Sequence, residues 1–117
     1  KVIWFTHKNV SRKNLPNHIT QIKCIENIKI NDVIKELNQI GCNSILVEAG
    51  GTLVGSFFDN KIVDKVYAFI APTIFGGKEA PSAVEGEGIM KIKDKINLSI
   101  SSIEKINEDI LIIGRTK

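Results

Sequence analysis

The sequence is short of cysteine, of long apolar runs and of charge of one sign, and each shortage excludes a class of protein. Its two cysteines, Cys24 and Cys42, cannot form a disulfide framework or a four-thiolate zinc site, which favours a reducing cytoplasm. No apolar run approaches the roughly 18 residues of a membrane helix, and Pro72 interrupts the best candidate, residues 66–74. The 16 Lys and Arg against 13 Asp and Glu leave a net charge of only +3, which gives nucleic-acid binding little support.

The size and composition are those of one globular domain or part of one. The chain has 117 residues, of which 43% are hydrophobic and 25% charged. It begins at Lys1 and enters an apolar run, residues 2–5, with neither an initiator Met nor a signal peptide before it. A strand at this position is expected to follow earlier sequence. We therefore expect residues 1–117 to be a single partial domain from a longer protein.

Hydrophobic periodicity and turn residues predict an alternation of strands and helices. One helix is expected to begin at the N-cap residue Asn31 and to be followed by Gly41 as the C′ glycine, with an apolar stripe between them. A second helix is expected at residues 52–60, and residues 73–90 form a long loop. The predicted strands are 2–6, 20–25, 44–48 and 63–71, followed by a hairpin that contains residues 98–101 and 110–113.

This order of elements predicts the α/β class. Alternating strands and helices favour a layered structure with a mostly parallel sheet, and the terminal hairpin adds an antiparallel edge.

The segment from Ser44 to Ser56 contains the chemistry that the residues themselves suggest. A predicted buried strand runs into Gly50 and Gly51 and then directly into a helix. The first helical N–H groups lack backbone partners, and the helix dipole places partial positive charge there. Glycines allow a phosphate to approach these donors closely, and Thr52 adds a hydroxyl nearby. A phosphate or pyrophosphate is therefore the expected ligand.

The glycine spacing alone leaves a second interpretation open. Gly50 and Gly55 match the first and third glycines of G-x-G-x-x-G, but Thr52 occupies the second position, and no Walker pattern is present. A tight turn that binds nothing has the same composition. Glu48 favours a ligand site, because it ends a predicted strand at the sheet edge where α/β proteins bind ligands. The alternative is that Glu48 caps a neighbouring helix or pairs with a lysine.

Four further features follow one another in a fixed order: residues 45–53 (ILVEAGGTL), Phe58, residues 62–66 (IVDKV) and residues 70–77 (IAPTIFGG). This ordered set of motifs resembles the reductase domain of riboflavin biosynthesis. Ala49 departs from the family pattern, since many members have a third glycine there. The resemblance implies a dihydrofolate-reductase-like three-layer sandwich. It also implies that the domain forms the C-terminal half of a bifunctional deaminase/reductase.

The resemblance implies a specific reaction. The family reduces 5-amino-6-(5-phosphoribosylamino)uracil, with NADPH as hydride donor and the ribosyl C1′ as acceptor. Glu48 would contact this phosphoribosylamino-pyrimidine substrate, no residue is required as a strong acid or base, and no metal is involved. Family members are often homodimers. The residues expected to bind the cofactor are Gly50, Gly51, Thr52, Leu53, Val54, Gly55 and Ser56.

The chain departs from the family in length, which affects the functional prediction. The first part of the reductase domain, with most contacts to the substrate phosphate and base, is not in this sequence. The deaminase zinc motifs H-x-E and C-x-x-C are also absent. We therefore expect the cofactor-binding part of a reductase, inactive by itself. A non-catalytic nucleotide-binding or assembly module of the same fold is the alternative, whereas residues 70–77 disfavour a pteridine reductase.

Overall fold

A computed structural model describes residues 1–24 and 27–117 of the chain. The chain divides into two compact units, Lys1–Leu46 and Val47–Lys117, which are described separately below. Ile25, the last residue of the predicted second strand, lies outside the described residues. No helix in the described ranges is long and apolar enough to cross a membrane.

The first unit contains two parallel strands and one helix. Strands β1 (Val2–His7) and β2 (Ile19–Cys24) pair from Val2 opposite Ile19 to His7 opposite Cys24. Thr6 on β1 is buried, and its hydroxyl oxygen accepts a hydrogen bond from Nε2 of Gln21 on β2 at 2.8 Å. A buried hydroxyl needs a hydrogen-bond partner, and Gln21 provides it. The same bond links the two strands in addition to their backbone hydrogen bonds. Both strands were predicted, and their parallel pairing confirms that this part is of the α/β type.

Helix α1 (Ile30–Gln39) begins one residue before the predicted cap and ends as predicted. Lys29 occupies the N-cap with extended backbone angles and no side-chain cap, so the prediction of Asn31 as the cap is wrong. Gly41 has a φ of +87°, the left-handed conformation that glycine adopts after a helix. The N–H groups of Gly41 and Cys42 donate to the carbonyls of Asn38 and Leu37, which satisfies the helix end.

The second unit contains a helix and an antiparallel sheet. Its elements are α2 (Gly51–Asp59), β3 (Lys65–Ile70), a short 3-10 turn (Ile92–Asp94), β4 (Leu98–Ile106) and β5 (Asp109–Thr116). The strand order is β3-β5-β4, and both pairings are antiparallel. Residues 107 and 108 connect β4 to β5, which confirms the predicted C-terminal hairpin.

The prediction of a mostly parallel sheet is wrong for the residues described. Among the strands of the described residues, only β1 and β2 pair in parallel, while β3 pairs with β5 in the antiparallel direction. The strand predicted at residues 44–48 is also absent, because none of the described strands pairs with this segment. Its apolar run is exposed, with Leu46 at 73%. An apolar run becomes a strand only where a neighbouring strand accepts its hydrogen bonds.

The centre of the second unit's sheet is β5. Leu111 on this strand is only 7% exposed, and Gly114 is buried at its C-terminal end. A Cβ atom at Gly114 would lie 3.3 Å from Leu98 Cβ and from the Ser99 carbonyl, which explains why a glycine fits there. On strand β3 the alternation of half-buried and exposed side chains is less regular, and Phe69 is 64% exposed.

Candidate functional site

The N-terminal end of α2 presents free backbone donors. Gly50 is the N-cap residue, with extended angles of φ −69° and ψ 164°. Its carbonyl accepts hydrogen bonds from the N–H groups of Leu53 at 3.1 Å and Val54 at 3.2 Å. The N–H groups of Gly51 and Thr52 have no hydrogen-bond partner within the described part of the chain. These two amides therefore remain available to an anion, as expected for a first helical turn.

Gly50 lies in open space. A Cβ atom added at this residue would meet no other atom within 4 Å, and the residue is exposed. Its backbone angles are also accessible to any L-amino acid. Internal packing therefore does not require a glycine here, and the space beside the two free amides is accessible from solvent.

Gly51 and Gly55 are in a different situation, because the chain itself covers them. The segment Ser82–Glu87, called the strap below, lies against this face of α2. A Cβ atom at Gly51 would contact the Ser82 carbonyl and would lie 2.9 Å from Cγ of Glu85. A Cβ atom at Gly55 would overlap the Glu85 carbonyl and lie 2.7 Å from the Gly86 nitrogen. These two glycines allow one backbone to approach another.

Three hydrogen bonds hold the strap on the helix. The Glu85 N–H donates to the Gly51 carbonyl at 3.1 Å, and the Thr52 hydroxyl donates to the Glu85 carboxylate at 2.5 Å. At the other end, the Glu87 N–H donates to the Asp59 carboxylate at 2.9 Å. Gly86 between them has a φ of +98°, which favours glycine. The strap thus spans the whole length of α2.

The structure divides the seven residues predicted to bind a cofactor into two groups. Gly50, with the amides of Gly51 and Thr52, forms the open end of α2. The others are engaged internally: the amides of Leu53 and Val54 bond to Gly50, Gly55 is buried beside the strap, and the Ser56 hydroxyl donates to the Thr52 carbonyl at 3.0 Å. Their role in cofactor binding stays a prediction.

Glu48 is exposed, three residues before α2. The prediction that Glu48 ends a strand is wrong, since residues 44–48 are not a strand in this structure. Glu48 is close in sequence to the free amides of Gly51 and Thr52, and this closeness is the remaining support for a role in ligand binding. Its contact with a substrate stays a prediction.

The strap, and Glu85 above all, was missed by sequence reasoning. A signal was present: Gly51 and Gly55 are four residues apart, so they share one face of a helix. Two glycines with this spacing indicate that a neighbouring backbone approaches the helix closely. The identity of that neighbour, some 30 residues further along the chain, is not encoded in the helix itself.

The open end of α2 favours an anionic group. Two free N–H donors and the helix dipole favour negative charge, and Gly50 leaves room for it. The Glu85 carboxylate beside Gly51 carries charge of the same sign as such a ligand. Within the described residues no group of three His, Cys, Asp or Glu side chains is placed to hold a metal ion.

Comparison with known proteins identifies similar sequences. The family model described as the RibD C-terminal domain matches residues 1–112. The riboflavin biosynthesis protein RibD of Actinobacillus pleuropneumoniae is 36% identical over 85 residues, which cover 73% of this chain and 23% of that protein. The 5-amino-6-(5-phosphoribosylamino)uracil reductase of Buchnera aphidicola is 32% identical over 114 residues, covering 95% of this chain and 55% of the relative.

Solved structures show the same fold at low sequence identity. A deaminase/reductase from Thermotoga maritima superposes with a TM-score of 0.77 at 21% identity, over all of this chain and 31% of its own. RibD from Acinetobacter baumannii gives a TM-score of 0.74 at 15% identity, over 98% of this chain and 37% of its own. The chain thus spans between about a quarter and a half of the length of these relatives.

Proposed function

Because this chain belongs to the family of the RibD C-terminal domain, we propose that it is part of a 5-amino-6-(5-phosphoribosylamino)uracil reductase of riboflavin biosynthesis. The family match over residues 1–112 carries the proposal. The Buchnera aphidicola relative, which is named for this reaction and matches 95% of the chain, supports it. The activity is proposed for the complete protein, since the chain covers 55% of that relative.

The proposed cofactor is NADPH, which supplies a hydride when bound. The residues available to hold its phosphates are Gly50 and the N–H groups of Gly51 and Thr52 at the start of α2. Backbone donors at a helix end bind phosphate oxygens without needing a positively charged side chain. The protein would thereby orient the cofactor, which is the main contribution of a protein to cofactor-dependent catalysis.

Glu48 is the proposed substrate contact. A carboxylate accepts hydrogen bonds from the hydroxyl and amino groups that a ribosylamino-pyrimidine carries, and such charge-assisted bonds are among the stronger ones. No side chain of this site is proposed as an acid or base, because hydride transfer requires positioning more than proton transfer by the protein.

The proposed assembly follows from the same family. The dihydrofolate-reductase-like three-layer arrangement, with residues 1–117 as one part of the reductase domain, is our proposal for the complete protein. So are fusion to an N-terminal deaminase domain and a homodimer, while a location in the cytoplasm is proposed from the two free cysteines, Cys24 and Cys42. The name of the Thermotoga maritima neighbour, a deaminase/reductase, supports the fusion.

The pair Gly50→Asp and Gly50→Asn tests where the cofactor binds. Both side chains fit the N-cap geometry, both cap helices well, and neither meets an atom of the chain at its Cβ. We expect both variants to unfold at the wild-type temperature or slightly above it. The aspartate adds a negative charge beside the free amides, so it should weaken NADPH binding about tenfold more than asparagine does. Titration calorimetry of NADPH against the complete protein measures this difference.

Ser99→Asp and Ser99→Asn are the matched controls, because Ser99 is exposed on β4, a different element from α2, and lies outside the family motifs. They should leave the Kd for NADPH unchanged. If Gly50→Asp binds NADPH as tightly as Gly50→Asn does, the start of α2 is not the phosphate site.

A second experiment distinguishes a reductase from a non-catalytic nucleotide-binding module. A reductase oxidises NADPH when the pyrimidine substrate is added, whereas a binding module does not.

A further inference from the structure

The strap, Ser82–Glu87, brings a carboxylate to the end of α2 that carries the free amides. We infer that the strap is an autoinhibitory element, in which Glu85 competes with the anionic ligand for the N-terminal end of α2. The inference rests on the function proposed above and adds a mode of regulation to that site.

The helix face is shaped for the strap. At both Gly51 and Gly55 a Cβ atom would contact strap atoms at distances shorter than van der Waals contact, and at Gly55 these atoms belong to the backbone. The Glu85 N–H also donates to the Gly51 carbonyl at 3.1 Å. The strap is therefore docked by its main chain, independently of the charge on Glu85.

The Glu85 side chain acts on the ligand site itself. Its carboxylate accepts a 2.5 Å hydrogen bond from the Thr52 hydroxyl, in the first turn of α2. A negative charge at this position interacts favourably with the helix dipole, as a bound phosphate would. Two anions at one helix end repel each other. A ligand phosphate that approaches Gly51 and Thr52 therefore has to displace the carboxylate or bind against its charge.

The strap is accessible to solvent along its whole length. All of its residues are exposed, and the side-chain hydrogen bonds that link it to Thr52 and Asp59 are exposed as well. Exposed hydrogen bonds exchange with water at small net cost. A segment held in this way can open without unfolding α2 or the sheet.

The test compares Glu85→Gln with Glu87→Gln in the complete protein. Glutamine at residue 85 keeps the size of the side chain and an acceptor for the Thr52 hydroxyl, but removes the charge. Glu87 lies in the same strap, where its N–H bonds to Asp59 at the opposite end of α2, so Glu87→Gln makes the same change of charge away from the site. The probes are NADPH and inorganic pyrophosphate, followed by calorimetry and by the NMR amide signals of Gly51 and Thr52.

We expect Glu85→Gln to bind both probes about two- to fivefold more tightly, which is the usual range for one charge at a helix end. Glu87→Gln should bind them as the wild type does. Wild-type binding should also move the NMR signal of the Glu85 side-chain carboxyl carbon.

The other outcomes separate the two proposals. If wild type binds NADPH but Glu85→Gln binds it equally or less tightly, the strap does not compete, and the proposed function is unaffected. Equal tightening by Glu87→Gln would likewise overturn the inference, because the effect would be one of net charge. If pyrophosphate binds more tightly to Glu85→Gln while NADPH binds to no variant, the inference holds and the proposed function fails. If neither probe shifts the Gly51 or Thr52 amide in any variant, both are wrong.

Discussion

A Cβ atom added at Gly50 would touch nothing within 4 Å, whereas one added at Gly55 would overlap the Glu85 carbonyl. At the scale of single residues, the three glycines at positions 50, 51 and 55 therefore have different structural roles. Gly51 and Gly55 are required by the packing of the chain on itself, and Gly50 is not. A glycine that packing does not require is the stronger indication of a ligand, because its missing side chain leaves accessible space.

Glu48 provides a prediction at the same scale. In the complete protein, Glu48→Gln should lower kcat/KM for the pyrimidine substrate about fivefold, because glutamine keeps an acceptor oxygen but loses the charge that makes such a hydrogen bond roughly twice as strong. The Kd for NADPH should change less than about twofold, because the free amides of α2 are intact. Steady-state kinetics and NADPH titration measure the two quantities.

Glu79→Gln is the control, since Glu79 is also an exposed acid, in the loop after β3. It should leave both quantities unchanged. A Glu48→Gln protein that turns over substrate at the wild-type rate would remove Glu48 from the site.

At the scale of elements, helix α2 agrees closely with its predicted bounds. It begins at Gly51 rather than Thr52 and ends at Asp59 rather than Asn60. Lys61 follows it with a φ of +56°, and its N–H donates to the Phe58 carbonyl at 2.9 Å. The helix end is thus closed in the same way as that of α1, but with a lysine where α1 has a glycine.

The contact between α2 and the strap predicts the effect of Gly55→Ala. Alanine favours a helix over glycine by about 1 kcal/mol, but its Cβ would overlap a backbone carbonyl, and overpacking costs about 1–3 kcal/mol. We expect the free energy of unfolding to fall by about 1 kcal/mol. Hydrogen exchange at the Glu85 amide should also become faster. Denaturant unfolding and exchange measurements test both effects.

Ser56→Ala is the matched control, one residue along the same helix. Its hydroxyl only bonds back to the Thr52 carbonyl, so its removal should change stability by no more than about 0.5 kcal/mol. A Gly55→Ala protein with wild-type stability and an equally protected Glu85 amide would show that the strap does not dock here.

The elements predicted correctly are those whose signals are local. The apolar stripe of α1, the glycine after it and the polar turn before residue 109 each act within a few residues, and the structure confirms them. The predicted strand at 44–48 and the parallel sheet depended on partners distant in sequence. An apolar run does not specify which strand it pairs with, or in which direction. The strap contact was missed for the same reason.

At the scale of the whole molecule, the exposure of the candidate site determines what this chain does alone. Glu48, Gly50 and Thr52 are all exposed in the described structure. Hydride transfer requires a site that positions both reactants and excludes water. The chain covers 55% of the Buchnera aphidicola reductase and 23% of the Actinobacillus pleuropneumoniae RibD protein, so both relatives contain further residues outside the matched part.

We therefore expect the 117-residue chain by itself to show no NADPH-dependent reduction of the pyrimidine substrate. An assay of NADPH oxidation beside the complete protein, at equal concentration, checks this. Circular dichroism of the same sample provides the control that the chain is folded. Turnover by the folded chain at a rate close to that of the complete protein would contradict the prediction.

Strand β4 contains an irregularity whose consequence reaches beyond one molecule. The pairing with β5 shifts between Ile100 and Ser102, so Ser101 is an extra residue, and its hydroxyl donates to the Ile113 carbonyl at 3.1 Å. Such a bulge breaks the even spacing of outward-facing N–H and C=O groups on an outer strand. A strand from another copy cannot continue that ladder in register, so amyloid-like stacking along an otherwise isoleucine-rich strand is hindered at its middle.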